Sequence, residues 1–127
     1  MKLATLKTGG RDGTPVLVSR DMKRMTLATS VVLTIRDAIE NWATVESELK
    51  ILAIKLEAEE VDTVPYDPKL LASPLPRAFQ WADGSAYLSH MRLVRKARGA
   101  EMPANSETDP MLYQGGSDGF LGPVDPI

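Results

Sequence analysis

The chain contains no cysteine. That absence removes a disulfide framework, a thiolate metal centre and a cysteine nucleophile, and it suits a reducing compartment. There is no surplus of basic charge either. Fifteen Lys and Arg stand against 17 Asp and Glu, a formal net charge of −2. A nucleic-acid-binding domain usually carries a basic excess, so no nucleic-acid partner is expected. No apolar run approaches the ~18–20 residues that span a bilayer, so no membrane partner is expected. The opening Met1-Lys2-Leu3-Ala4-Thr5-Leu6-Lys7 alternates apolar and polar residues and lacks the unbroken apolar stretch of a signal peptide. The expected location is cytoplasmic. Phosphate-cradling and serine-elbow motifs are missing too: there is no P-loop, no Gly-x-Gly-x-x-Gly after a strand and no Gly-x-Ser-x-Gly. Histidine occurs once, as His90.

What is present is a globular composition, 43% hydrophobic and 25% charged over 127 residues. A chain of this size can bury roughly two-thirds of its unfolded surface. Its first third reads as a β-meander. The alternating run from Lys2 ends at Gly9-Gly10-Arg11-Asp12-Gly13, whose glycines supply the positive φ angles of a turn. Val16 to Arg20 is a β-branched strand, Asp21 to Arg24 a second turn, and Met25 to Ala28 a third strand. So small a sheet cannot hide both faces by itself and needs helices or a second domain against it.

Thr34 is a plausible N-cap, with Asp37 in the first turn. Ile35, Ala38, Ile39 and Trp42 recur at helical spacing, and Val45, Leu49, Leu52, Ala53 and Leu56 continue the stripe. Thr44 followed by Glu46 and Glu48 suggests a second cap, so two helices are expected, about 35–42 and about 45–59. From Asp62 to Pro76 four prolines predict a surface linker. Arg77 to Trp81 is a strand candidate, and Asp83-Gly84-Ser85 a turn and helix N-cap. Tyr87, Leu88, Met91, Val94 and Ala97 form a third amphipathic helix closed by Gly99. Met111 to Gln114 is a short strand candidate, and Gly122 to Ile127 a turn. The expected class is α+β: a small curved meander, SH3-like and barrel-like, packed with two or three helices. The expected division is 1–72, meander plus helices, and 73–127, a linker and the beginning of a further domain. The segment after about residue 77 is expected to pack poorly by itself.

Chemistry has few places to reside. His90 lies about two turns into the third helix, and Asp83 precedes it by seven residues. Were both in one helix, their side chains would lie on nearly the same face. As a cap, Asp83 could instead face a cation before the helix N-terminus. In isolation, a lone histidine is more often a packing or surface residue, and Asp83 only a cap. Arg92, Arg95, Lys96 and Arg98 follow. They form either a solvated helix face or an anion-capturing set, since arginine grips carboxylates bidentately.

The segment Gln80-Trp81-Ala82-Asp83-Gly84-Ser85-Ala86-Tyr87-Leu88-Ser89-His90, with Val94 to Gly99, resembles the fumarylacetoacetate hydrolase family. So do Tyr113-Gln114-Gly115-Gly116-Ser117-Asp118 and Leu121-Gly122-Pro123-Val124-Asp125-Pro126-Ile127. The latter is similar to the family's entry into its catalytic β-rich core. The resemblance extends through the meander and helices of bacterial-type members. It implies hydrolysis of a carbon–carbon bond in a β-diketo acid, as in tyrosine and other aromatic amino acid catabolism, with Mg²⁺ or Ca²⁺ as cofactor and a homodimer as the assembly. By position it implies that Asp83 is a metal carboxylate and His90 the base that activates water. It also implies that Arg95 (or Arg98 close by) contacts substrate and that Tyr113 lines the pocket. Ser85 stands where family members carry a tyrosine. The remaining metal carboxylates belong to a core beyond residue 127, so this chain alone is expected to be inactive. The alternatives are a non-catalytic docking or oligomerisation module and a relative acting on another keto acid.

Overall fold

The computed structural model describes residues 1–127. It divides into two compact units, Met1–Ala78 with Asp118–Ile127, and Phe79–Ser117.

The first unit is built on strands β1 (Lys2–Leu6), β2 (Thr14–Val18), β3 (Arg24–Leu27) and β4 (Val64–Pro65), antiparallel and in sequence order. Leu3 opposes Leu17 and Leu17 opposes Thr26, while Ala4 opposes Val16 and Val18 opposes Met25. Alternate residues point to opposite faces, so β2 has two apolar faces to cover. The β1–β2 turn uses Gly9, Gly10 and Gly13 at positive φ. The β2–β3 turn is held by Ser19, whose Oγ donates to Asp21 Oδ1 at 2.6 Å and accepts from the Arg24 amide at 3.0 Å.

Helices α1 (Ile35–Glu40) and α2 (Trp42–Glu57) cover one face. Leu3 of the sheet joins Ala28, Val32, Ala38 and Leu49 in one cluster. Full burial of a leucine such as Leu17, Leu49 or Leu56 contributes about 1.5–3 kcal/mol relative to exposure. Thr34 caps α1 as expected, its Oγ1 accepting from the Asp37 amide at 3.0 Å. The second cap is Asn41, not Thr44. The amide and side-chain Nδ2 of Asn41 both donate to the Asp37 carbonyl, which ends α1 at that point. Thr44 then falls inside the first turn of α2.

The other face is covered by the proline-rich segment, which is therefore not a linker. Tyr66 and Leu71 pack on Val16, Val18 and Met25. Val64 and Pro65 pair with β3, and six residues later Leu71 bridges Leu6 at the opposite edge. There the Lys7 amide donates to the Leu70 carbonyl at 2.9 Å and the Ala72 amide to the Thr5 carbonyl at 2.8 Å. The expected SH3-like barrel does not close. Pro65 and Pro68 cannot donate to a ladder, so the segment touches each edge briefly instead of running as a strand between them. The α+β class stands.

The tail folds back on this segment. Asp125 Oδ2 accepts from the Gly122 amide at 2.8 Å, and Lys7 Nζ pairs with Asp125 Oδ1 at 2.5 Å. Three carboxyls of the unit are held below the usual range: Asp12 by its Arg77 hydrogen bonds, Asp21 by the Ser19 hydroxyl, and Asp125 by Lys7. A depressed folded pKa adds stability that is complete above the unfolded value and lost as pH falls through the folded one. The melting temperature is thus expected to be level from pH 7 to 5 and to drop below about pH 4. Thermal melts across that range check this, and an Asp12→Asn variant should show a shallower acid decline.

The second unit pairs β5 (Ala82–Ser85) with β6 (Met111–Gln114) beside helix α3 (Leu88–Ala97). The strand lies later than the expected Arg77–Trp81, and Asp83-Gly84-Ser85 is neither a turn nor a cap. Pairing with β6 supplies ladder bonds that outweigh the local turn preference of Asp-Gly-Ser. The N-cap of α3 is Tyr87, without a side-chain cap bond. The helix ends as expected, with Gly99 at φ 64 and the Ala100 amide donating to the Arg95 carbonyl. Met91 is the one buried apolar side chain of this unit. No helix of the chain is long and apolar enough to cross a membrane.

Candidate active-site face

The four candidate residues all fall in the second unit. Asp83 and Tyr113 are directly opposed across β5 and β6. Opposed residues of an antiparallel pair share a face, with β-carbons about 4.5–5.5 Å apart. Alternation places Ser85 and its partner Met111 on the same face. Arg95 of α3 reaches that row, its guanidinium donating to Met111 Sδ at 3.6 Å. Three of the four residues thus gather on one side of a two-stranded ribbon.

His90 does not join them through the helix. Asp83 belongs to a strand, so the seven-residue interval does not express a shared helical face. Within α3, His90 stands five residues before Arg95, about 140° round the axis. It is exposed and makes no hydrogen bond or ion pair. Arg95 instead lies one turn after the buried Met91, on nearly the same side of the helix.

Two further residues, Trp81 and Gly115, shape this face, a role that their positions in the sequence do not by themselves assign. Trp81 meets Tyr113 edge to face, with ring centroids 6.2 Å apart and planes at 79°. Its carbonyl accepts from the Gly115 amide at 3.1 Å. A β-carbon at Gly115 would lie 2.7 Å from Trp81 Cζ3, so only glycine leaves the indole its place. The Gly115-Gly116 pair that follows Tyr113-Gln114 is the sequence signal that points to this close approach. The face therefore offers an exposed carboxylate, two aromatic rings and an arginine, a combination suited to a small anionic ligand with a flat body.

The residues present do not make a divalent-cation site. No group of three or more His, Asp or Glu side chains is assembled anywhere in the chain. A hard cation takes about six to eight oxygens, and Asp83 offers the oxygens of one carboxylate.

No curated protein matches the chain closely enough to add to this picture. Residues 1–77 match the fumarylacetoacetase N-terminal domain 2 family, a span that takes in the four-stranded sheet, both of its helices and the proline-rich segment, and stops before Asp83. With that match over more than half of its length, the chain belongs to the fumarylacetoacetase N-terminal domain family.

Proposed function

We propose that the chain is the N-terminal part of a fumarylacetoacetase-like hydrolase that cleaves a carbon–carbon bond in a β-diketo acid. The observation that supports this best is the shared face of Asp83, Tyr113 and Arg95. In the reaction, water adds across the scissile bond. Its hydroxyl joins the attacked carbonyl carbon, which leaves as a carboxylate, and a proton ends on the departing carbon. His90 takes the proton from the attacking water at an imidazole nitrogen, acting as the general base. Arg95 pairs with the substrate carboxylate, and Tyr113 forms a wall of the pocket. Asp83 contributes one carboxylate toward Mg²⁺ or Ca²⁺. The other donors are not among these 127 residues, and no step rests on a cation held by this chain alone.

The same reading places the protein in the cytoplasm, as a homodimer, in aromatic amino acid breakdown. The test is product analysis. A protein joining this chain to the family's catalytic core should convert fumarylacetoacetate to fumarate and acetoacetate in equal amounts. The 127 residues alone, supplied with Mg²⁺ or Ca²⁺, should give no turnover. Cleavage by the isolated chain, or consumption only of an unrelated keto acid by the joined protein, would overturn the assignment.

A further inference from the structure

The loop between β1 and β2 does more than turn the chain. Asp12 sits at its tip and receives Arg77 in a two-pronged pair, Nε to Oδ1 at 2.9 Å and Nη2 to Oδ2. Arg36 of α1 lies 3.8 Å from Asp12 Oδ1. The neighbouring Arg11 pairs with Asp118. Arg77 and Asp118 also bridge each other through the backbone. These two residues are where the chain leaves for Phe79–Ser117 and where it returns. One loop therefore holds both ends of that excursion, by adjacent residues of opposite charge.

The geometry points to a charge clasp: Asp12 and Arg11 fasten the outgoing and returning strands at Arg77 and Asp118, so that the two crossings open and close as one unit. Bringing the ends of so long an excursion together has an entropic cost, and bonds at its base offset it. The bidentate arginine–carboxylate pair is the strongest form of such a bond, and its planar fork fixes direction as well as distance. The crossover of charges adds specificity, because Arg11 would repel Arg77 and Asp12 would repel Asp118 in the swapped arrangement. Gly10 and Gly13, both at positive φ, give the loop the tight path that sets Arg11 and Asp12 side by side at its tip.

The test is amide hydrogen exchange on the full chain, read residue by residue. Asp12→Asn keeps the shape of the side chain and removes its charge. It is expected to speed exchange about tenfold at Arg77–Ala78 and equally at Asp118–Gly119, with β1, β2 and β3 unchanged. Asp12→Glu should restore most of the protection. Arg11→Gln, a change at an exposed side chain that leaves the core intact, should also raise exchange at both crossings rather than at Asp118 alone. Independent responses of the two crossings in either variant would overturn the clasp. So would unchanged exchange at both.

Discussion

Gly13→Ala is expected to destabilise the first unit by about 3 kcal/mol or more, a large share of the ~5–15 kcal/mol that holds a domain of this size. Two costs combine. Gly13 sits at φ 69, which an L side chain adopts only under strain. Its added β-carbon would also lie 2.5 Å from the Leu6 carbonyl oxygen and collide with the γ-methyl of Thr5. Neither neighbour can yield. Leu6 is paired with β2 on one side and bridged to Leu71 on the other, and Thr5 is fully buried with its hydroxyl bound to the Pro74 carbonyl at 2.7 Å. Gly10 provides the control. It has φ 83 but open space around it, so Gly10→Ala should cost only the backbone strain, about 1–2 kcal/mol. Urea unfolding of the two variants should separate them clearly. Equal effects would mean that the contact with β1 is not what fixes Gly13.

The second large effect concerns chemistry. In a protein joining this chain to the catalytic core, His90→Ala is expected to lower kcat by about 10²–10⁴, the usual contribution of a positioned general base. KM should change little, because the base acts on water in the transition state and contributes little to ground-state binding. The melting temperature should stay within a degree or two. His90 is exposed on α3 and makes no hydrogen bond or ion pair, and surface changes of that kind cost under about 0.5 kcal/mol. A steady-state assay with a parallel thermal melt therefore distinguishes lost chemistry from lost fold. Unchanged turnover would favour the docking-module reading of the chain.

Much of the first unit was legible in the sequence because local signals and global packing agree there. The glycine-rich turn, the Thr34 cap and the period of the apolar residues all point to the elements that form. The proline-rich segment misled for a physical reason. Prolines predict irregular backbone, which is correct, but irregular backbone can still be buried. Here Tyr66 and Leu71 cover the sheet face that the helices leave open. Nothing within that segment reveals its partner, since the need for a cover arises from β2, some fifty residues away. The same non-locality hid β5. Asp-Gly-Ser reads as a turn until Met111–Gln114 pairs with it. The identities of the candidate site residues came from motif resemblance, whereas their arrangement came from that pairing. Tyr113 stands beside Asp83 because the register opposes them, whereas the seven-residue interval to His90 is not a shared helical face because Asp83 lies in a strand.

The most direct test of the proposed site is a titration of the 127-residue chain with a β-diketo acid in the presence of Mg²⁺ or Ca²⁺, followed by amide and indole NMR shifts. With one carboxylate toward the cation, binding should be weak, on the order of millimolar. The shifts should gather at Asp83, Tyr113, Arg95 and the Trp81 indole. Shifts gathered instead along Val18 and Ile54, which line a groove between β2 and α2, or no shift at tens of millimolar, would contradict the assignment of the β5–β6 face.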